Sequence, residues 1–237
     1  MRLDAALFKR GLTQSRSQGE NYVKLGLVKV NGKKAEKVSV QVSDKDELQV
    51  VGEQYVSRAA LKLASIATQF KLDFRDKIVL DVGSSTGGFT DYALQNGAKK
   101  VIAVDVGTNQ LHPSLHGDKR IELHEKTDIR EFNTNYIINY IIADVSFISL
   151  TKILPHLLGL ASASTSFIMM CKPQFEAERS QVNKGVIKNS KMRRDILRNF
   201  ESWLDTNGFA VLDKADSQVA GTKGNVERFY KLKLKNR

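Results

Sequence analysis

The sequence predicts an α/β protein with a doubly wound, mostly parallel sheet, preceded by a small α+β unit. Two observations carry this prediction. From residue 76 onward, short apolar runs alternate with segments of helical spacing, which is typical of strands joined by crossover helices. The run Ile78–Val82 is nearly continuously apolar, as in a strand buried on both faces of a parallel sheet, and it leads directly into a glycine turn.

The larger unit contains seven predicted strands. They are residues 78–82, 101–105, 121–124, 138–144, 165–171, 209–214 and 228–234. The predicted helices are residues 57–70 (with Ser57 as N-cap), 88–96, 149–159 and 191–206, with short helical pieces near 109–116 and 128–132. Seven is the number of strands in the Rossmann-like sheet of the class I methyltransferases, which this pattern resembles. In those proteins the last strand runs antiparallel, as part of a terminal hairpin. The longest loop, from Pro173 to about Asn189, is polar and basic, and loops of that length are often functional.

Residues 1–52 are predicted to form the small α+β unit. Leu3, Leu7 and Phe8 have helical spacing, and Gly11 ends that helix. Ser15 or Thr13 caps a second helix that ends near Gly26. A strand over 27–30, the turn signal Asn31-Gly32 and a strand over 47–51 complete the unit.

The charge of the chain predicts a polyanionic partner. The 237 residues carry a formal net charge of +11, and residues 1–52 hold ten Lys or Arg against six acids. The residues Arg2-Leu3-Asp4, Gly11-Leu12, Ser15-Arg16-Ser17, Gly26 and Val28–Gly32 resemble the RNA-binding domain of the ribosomal-protein-S-four type. That resemblance implies structured RNA as the partner. The cations expected to contact RNA are Arg2, Arg10, Arg16, Lys24, Lys29, Lys33, Lys34 and Arg58.

The chain is therefore expected to divide into an RNA-binding domain (1–52), a short linker (53–56) and a catalytic domain (57–237). The single Cys171 excludes an internal disulfide and fits a reducing, cytoplasmic compartment. Asp4 and Lys9-Arg10 interrupt any secretory signal, and no apolar stretch approaches the roughly 18 residues that span a bilayer. We expect no membrane association, no metal site and no obligate protein partner.

The glycine turn narrows the choice of cofactor. An ATP-binding loop needs Gly-Lys-Ser or Gly-Lys-Thr, but Gly88 is followed by Phe89. A dinucleotide fingerprint needs Gly-x-Gly-x-x-Gly, and Ser85 stands where its middle glycine belongs. S-adenosylmethionine has no pyrophosphate to cradle, so it is the cofactor that fits.

Acids at consecutive strand ends support the same cofactor, because ligands of open α/β sheets bind at the carboxyl ends of the strands. Asp81 suits the cofactor's ammonium group, directly or through water. Asp105 can accept hydrogen bonds from both ribose hydroxyls, and Asp128 can reach the adenine amino group. The full predicted cofactor set is Asp81, Gly83, Ser84, Ser85, Gly87, Gly88, Phe89, Asp105, Val106, Asp128 and Asp144.

A family resemblance spans essentially the whole chain. It rests on the segments Tyr55–Arg58, Leu61-Lys62-Leu63, Asp81–Thr90, Asp144–Ser149, Lys172–Glu176 and Gly224–Glu227. These resemble the TlyA (haemolysin A) family, which is related to the FtsJ-type ribosomal RNA 2′-O-methyltransferases. The resemblance implies methylation of a ribose 2′-hydroxyl, in cytidine, by a catalytic tetrad of Lys62, Asp144, Lys172 and Glu227. A neutral lysine is a competent general base, so we assign that role to Lys172, with Asp144 orienting it and Lys62 and Glu227 positioning the ribose.

Other functions remain open at this point. The chain could be a non-catalytic RNA-binding factor of ribosome assembly, or the membrane-active haemolysin that the family name suggests. A DNA amine methyltransferase is disfavoured, because Asp144-Val145-Ser146-Phe147 stands where such enzymes carry Asp/Asn-Pro-Pro-Tyr/Phe.

Overall fold

The structure is a computed structural model that describes residues 1–13, 15–24, 26–51, 55–177, 186–187, 189–219 and 224–235. Its first unit consists of two helices and a three-stranded antiparallel sheet of order β2-β1-β3. These elements are α1 (Leu3–Lys9), α2 (Arg16–Lys24), β1 (Val28–Val30), β2 (Lys33–Lys34) and β3 (Leu48–Val50).

The predicted hairpin turn is confirmed. Asn31 and Gly32 both have positive φ, 51° and 76°, as a two-residue type I′ turn requires. Of the two predicted caps, Ser15 is the one used, because its Oγ accepts a hydrogen bond from the Gln18 backbone N–H at 3.1 Å. The predicted helix that contains Leu3, Leu7 and Phe8 is confirmed as α1. α1 buries Leu3 and Leu7, whereas Phe8 lies just past that buried arc and is 49% exposed.

The larger unit is built on a sheet whose described strands have the order β6-β5-β4-β7-β8-β10-β9. The strands are β4 (Ile78–Val82), β5 (Lys100–Val104), β6 (Ile121–His124), β7 (Tyr140–Ala143), β8 (Ser166–Cys171), β9 (Phe209–Asp216) and β10 (Arg228–Leu234). β10 pairs antiparallel with both β8 and β9, and the other pairs are parallel. The predicted class of sheet is confirmed, and each strand lies within two residues of its predicted bounds.

The helices of this unit are α3 (Arg58–Ala67), α4 (Gly88–Gln95), α5 (Leu154–Leu160), α6 (Pro173–Glu176) and α7 (Ser190–Thr206). The predicted helix over 149–159 is in fact a 3₁₀ turn, Leu150–Lys152, followed by α5, with Pro155 in the first turn of α5. Near 109–116 only a 3₁₀ turn forms, Pro113–Leu115. The helical piece predicted near 128–132 is wrong, because Asp128 bonds the backbone N–H of Arg130 and the chain makes a single turn there.

Ser57 occupies the predicted N-cap position of α3, but its hydroxyl does not cap the helix. The long loop predicted from Pro173 opens with α6, and its residues 178–185 and 188 lie outside the described residues.

The sheet is covered on both faces, and the N-terminal unit joins one of the two cores. Ile142, Met170 and Phe229 share a cluster with α3, α4 and the N-terminal unit, whereas Phe167 and Tyr230 belong to the cluster of α5 and α7. Tyr55 and Val56, at the end of the predicted linker, pack on α4: the Tyr55 ring lies 5.5 Å from Tyr92, and Val56 N–H bonds the Asp91 carboxylate at 2.8 Å. Residues 52–54 lie outside the described residues.

Among the described helices, none combines the length and the apolar character needed to cross a membrane.

The contact between α3 and α4 depends on Gly88. A Cβ at this position would lie 2.2 Å from Ser57 Oγ, 2.8 Å from Ala59 Cβ and 3.0 Å from the Ala60 backbone nitrogen. Only glycine therefore allows the start of α4 to approach the start of α3 this closely.

We predict that Gly88→Ala lowers the free energy of unfolding by about 1–3 kcal/mol, because the added methyl group overpacks this contact. Gly159→Ala is the matched control: no atom lies within 4 Å of its added Cβ, and alanine in a helix should stabilise by about 0.5–1 kcal/mol. Urea unfolding of both variants measures the difference. Equal stability of Gly88→Ala and the parent chain would contradict the prediction.

Candidate active site

The period of two along a β-strand brings three tetrad residues to one face of the sheet. Ile142 of β7 and Met170 of β8 point into the core beneath α3 and α4. Asp144 and Lys172 each lie two residues further on, so the strand pattern directs them to the same face. β10 runs the opposite way, and Glu227 lies two residues before Phe229, which shares that face. Lys62 completes the set from α3, which covers the same face of the sheet.

Lys172 and Asp144 form a close, largely buried ion pair. Lys172 Nζ lies 2.6 Å from Asp144 Oδ1, with 11% and 16% of the two side chains exposed. Oδ1 accepts no hydrogen bond, so the contact is an ion pair. The same Nζ donates a hydrogen bond to Ser146 Oγ at 2.7 Å. One ion pair and one hydrogen bond thus fix the position of the Lys172 amine.

Lys62 and Glu227 form a second pair. Lys62 Nζ donates to Glu227 Oε1 at 3.1 Å, and the Glu227 side chain is only 3% exposed. The other oxygen, Oε2, is buried without a hydrogen-bond partner. The four residues are therefore arranged as two ion pairs. Each lysine amine thus faces a carboxylate.

Two adjoining cavities open at this edge of the sheet. The larger has a volume of about 530 Å³, within the usual range for small-molecule sites. The smaller, of about 140 Å³, contains Lys172 in its wall. The walls of both include Gly83, Ser85, Asp144 and Ser146, so the two cavities are neighbours that share Asp144, the ion-pair partner of Lys172.

Most of the predicted cofactor residues line these cavities. Those on the larger wall are Gly83, Ser85, Asp105, Val106, Asp128 and Asp144, and those on the smaller wall are Gly83, Ser84, Ser85, Phe89 and Asp144. Gly87 and Gly88 do not line either cavity. A Cβ on Gly87 would lie 2.5 Å from Leu115 Cδ1, so both glycines serve the packing of the turn rather than the approach of a ligand.

Asp105 and Asp128 already have protein partners. Asp105 accepts hydrogen bonds from Ser85 N–H at 2.8 Å and from Gly107 N–H at 2.7 Å, which hold the turn against the end of β5. Side-chain hydrogen bonds from Arg130 hold the pKa of Asp128 at about 2, with the closest contact at 2.5 Å. Each carboxylate oxygen has two lone pairs, so both acids keep capacity to accept from a ligand.

Asp81 lies behind the cavity wall rather than on it. Its side chain is fully buried, and its Oδ2 accepts a hydrogen bond from the Thr90 hydroxyl at 2.7 Å. Its Oδ1 is buried without a hydrogen-bond partner. Burial, together with the charges of Asp144 and Asp105, raises the pKa of Asp81 to about 7. Burying a carboxylate with one unpartnered oxygen is costly unless a cation lies nearby. Asp81 therefore fits the predicted ammonium group of S-adenosylmethionine.

The sequence did not single out Phe147. It is 91% exposed and has a positive φ of 66°, a conformation that L side chains rarely adopt. Phe147 lines the larger cavity, and its ring lies 5.2 Å from that of Phe175. Lys172 Nζ in turn lies 6.0 Å from the centre of the Phe175 ring. Phe147 belongs to the segment that pointed to the family, but neither its exposure nor its backbone conformation can be detected from sequence.

Several predicted RNA contacts are held in place by the protein. Arg2 and Arg16 both pair with the buried Asp4, at 3.0 and 2.9 Å. Burial alone would raise the pKa of Asp4, but the hydrogen bonds from Arg16 and Arg2 outweigh it and lower that pKa. Arg10 donates to the carbonyls of Ser43 and Asp46. Each guanidinium is thus fixed in orientation on an exposed surface.

The remaining predicted RNA contacts lie on α2, on the hairpin and at the start of α3. Lys24 pairs with Glu20 one helical turn away, at 2.6 Å, and Arg58 is the first residue of α3, one turn before Lys62. In the hairpin, Lys29 lies directly opposite Lys34, and Lys33 follows the turn. Like charges that face each other across a strand pair destabilise a sheet unless an anion lies between them.

Within the described ranges, no group of three or more His, Cys, Asp or Glu side chains is arranged to hold a metal ion.

Comparison with known proteins identifies both units. Residues 55–234 match the profile of the FtsJ-like methyltransferases, and residues 1–48 match the S4 domain. Hemolysin A of Brachyspira hyodysenteriae is 40% identical over 233 residues, covering 96% of this chain and 97% of that protein. The 16S/23S rRNA (cytidine-2′-O)-methyltransferase TlyA of Mycobacterium tuberculosis is 38% identical over 240 residues, covering 98% of this chain and 89% of that protein. A solved structure from Streptococcus thermophilus, described as a hemolysin, is 38% identical with a TM-score of 0.74, covering all of this chain and 89% of its own.

We predict that Asp81→Asn stabilises the free protein at pH 8 but weakens binding of S-adenosylhomocysteine. Because the folded pKa of about 7 lies above the ordinary value of 3.8, the folded state binds more protons than the unfolded state between these values. The contribution of Asp81 to stability is therefore lost as pH rises from about 4 to about 7. A neutral side chain avoids that loss, but it cannot attract the ligand's ammonium group.

Thermal unfolding at pH 5 and pH 8, with titration calorimetry at pH 8, measures both effects. The stability difference should be small at pH 5 and larger at pH 8. Unchanged affinity for S-adenosylhomocysteine would remove Asp81 from the cofactor site.

Proposed function

We propose that this chain, which belongs to the TlyA (hemolysin A) family of FtsJ-like methyltransferases, transfers a methyl group from S-adenosylmethionine to a ribose 2′-hydroxyl of ribosomal RNA. The acceptor that we propose is a cytidine, as the name of the Mycobacterium tuberculosis relative states for that protein. The observation that supports the proposal is that the two cavities share wall residues, among them Asp144, the ion-pair partner of Lys172. A site of cofactor size therefore adjoins a smaller cavity that is lined by an amine. Within the described residues, nothing comparable favours membrane lysis.

Residues of this chain are available for each part of the cofactor. Asp105 and Asp128 would receive the ribose hydroxyls and the adenine amino group, beside the exposed Val106. Asp81, behind the turn formed by residues 83–85, would interact with the ammonium group through a water molecule. When bound, S-adenosylmethionine supplies an electrophilic methyl carbon attached to a sulfonium, which needs no metal ion.

The proton of the acceptor hydroxyl is the part of the reaction that this chain must manage. We assign its uptake to Nζ of Lys172 in the neutral amine form, as the ribose oxygen attacks. Asp144 and Ser146 fix that nitrogen, and Asp144 stabilises the ammonium that forms. Lys62 and Glu227 position the ribose, for which the unpartnered Oε2 of Glu227 offers an acceptor. Alignment of the two reactants supplies much of the remaining rate.

The proposed division of labour assigns RNA binding to residues 1–52, connection to 53–56 and catalysis to 57–237. The facing lysines of the hairpin support an anionic partner, and the exposed ring of Phe147 offers a stacking surface for a base that is turned out of its helix. Such a partner places the protein with ribosomes, in the cytoplasm.

The decisive experiment is methyl transfer from labelled S-adenosylmethionine to purified small and large ribosomal subunits, followed by mapping of 2′-O-methyl sites. Label at a cytidine 2′-hydroxyl is the expected result. An RNA-binding assembly factor without catalysis would bind the subunits and leave no label.

We predict that Lys172→Ala lowers the rate of methyl transfer by about 100- to 10,000-fold, the usual contribution of a general base. Affinity for S-adenosylhomocysteine should persist, since Lys172 lines only the smaller cavity. Lys119→Ala, an exposed lysine before β6, serves as the control. Full activity of Lys172→Ala would exclude Lys172 as the base.

We predict that Lys34→Gln weakens binding to ribosomal RNA and lowers the salt slope of the binding constant by about one, as loss of one phosphate contact should. The same change relieves the repulsion with Lys29, so the melting temperature should stay equal or rise. Lys99→Ala, at an exposed lysine directly before β5 of the larger sheet, is the control. An unchanged salt slope would show that the hairpin does not contact RNA.

A further inference from the structure

Two separate loops carry the proposed reacting residues, and one acidic side chain ties them together. Asp144 lies on the loop after β7, and Lys172 on the loop after β8. Glu176, at the end of α6, accepts a hydrogen bond from Ser149 Oγ at 2.5 Å and another from Leu150 N–H at 2.9 Å. Both of its oxygens are therefore bound to the loop that carries Asp144.

The hydrogen bonds of Glu176 lie close in sequence to both proposed reacting groups. Ser149 lies five residues after Asp144, and Glu176 lies four residues after Lys172. Between them, the turn of α6 is closed by hydrogen bonds from Phe175 N–H to the Lys172 carbonyl, at 2.8 Å, and from Ala177 N–H to the Pro173 carbonyl, at 3.0 Å. A movement of Glu176 is therefore transmitted through a short, hydrogen-bonded turn to Lys172.

The two loops lie beyond the hydrogen-bonded part of the sheet, so among the described residues only side-chain contacts fix the distance between them. The ladder between β7 and β8 ends at Ala143 and Met169. Beyond it, the described contacts that join the two loops near the edge are the Lys172–Asp144 pair, the Lys172–Ser146 bond, the Phe147–Phe175 ring contact and the Glu176 bonds. The first three engage groups that a substrate has to approach, whereas Glu176 lies behind them.

We infer that Glu176 is a positioning residue for methyl transfer, which holds the Lys172 loop and the Asp144 loop in register through its hydrogen bonds rather than through its charge. This inference rests on the proposed function of the same site. Burial raises the pKa of Glu176, which is consistent with a side chain whose shape and hydrogen bonds matter more than its ionisation. An amide of the same shape can still accept from Leu150 N–H and can donate to Ser149 Oγ.

The test compares Glu176→Ala, Glu176→Gln and Ser149→Ala in methyl transfer to the ribosomal subunits, with S-adenosylhomocysteine affinity measured on each. We expect kcat to fall by about 100-fold in Glu176→Ala, the usual cost of a misplacement of about 1 Å. KM for the subunit and affinity for S-adenosylhomocysteine should stay unchanged. Glu176→Gln should keep most of the activity and the parent pH profile, and Ser149→Ala should lie between.

Glu201→Ala controls for general destabilisation. Glu201 likewise holds two partners, Tyr230 Oη at 3.0 Å and Lys214 Nζ at 2.8 Å, but in the middle of α7. Its loss should lower the melting temperature and leave kcat unchanged. Parent activity in Glu176→Ala would overturn the inference, and so would an equal loss in Glu176→Gln, which would assign the effect to charge. If Glu176→Ala does not fold, parent activity in Ser149→Ala overturns it.

A second measurement separates this inference from the proposed function. If the parent protein methylates neither subunit, the proposed function fails and kcat carries no information on Glu176. The Lys172 side-chain resonance in ¹³C-lysine-labelled protein, identified by its loss in Lys172→Ala, then decides. It should shift in Glu176→Ala and stay in place in Glu176→Gln, and no shift in either variant would overturn the inference.

Discussion

The antiparallel insertion of β10 between β8 and β9 is the constraint on which the site depends. Parallel strands place only the residues that follow them at the carboxyl edge of a sheet. Because β10 runs the other way, the residue that precedes it reaches the same edge, and Glu227 joins Asp144 and Lys172 there. Because side chains alternate along a strand, all three lie on the face of the sheet that α3 covers, and α3 carries Lys62. Lys62 and Glu227, 165 positions apart in sequence, thereby form an ion pair on the face of the sheet to which the strand pattern also directs Asp144 and Lys172.

The close packing of α3 against α4 is the second requirement, and it links the tetrad to the cofactor turn. Gly88 allows the start of α4, directly after the glycine turn, to contact the start of α3, the helix that carries Lys62. Tyr55 and Val56 pack on the same α4, and through them the N-terminal unit shares a core with the catalytic one. The N-terminal unit and the helix that follows the glycine turn therefore share one continuous hydrophobic cluster.

Most of the charged residues predicted to bind a ligand already have protein partners. Hydrogen bonds within the protein fix the positions of Asp105, Asp128, Arg2, Arg16 and Arg10. Asp81, in contrast, is buried with one oxygen unpartnered, and its burial costs stability above its raised pKa. Such a cost in the free protein is consistent with a group whose missing partner is a ligand.

The sequence by itself determined the class of sheet, the strand bounds, the cofactor and the family. The sheet, its strand bounds and the cofactor follow from local patterns: apolar runs of strand length, acids at strand ends and a glycine turn that lacks the middle glycine of a dinucleotide site. The family follows from the resemblance of the motifs along the chain. It also predicted the hairpin at Asn31-Gly32, because that dipeptide adopts its conformation with little help from the rest of the chain.

Only the tertiary structure decided how those residues are used. The tetrad is arranged as two ion pairs, Asp81 lies behind the wall, and Phe8 and Phe147 are exposed, although their apolar character is the same as that of buried phenylalanines. The roles of Glu176 and Ser149 depend on a contact between two loops 27 residues apart. Pairing, burial and exposure are set by what the fold brings alongside each side chain, and a linear pattern of residue types does not carry that information.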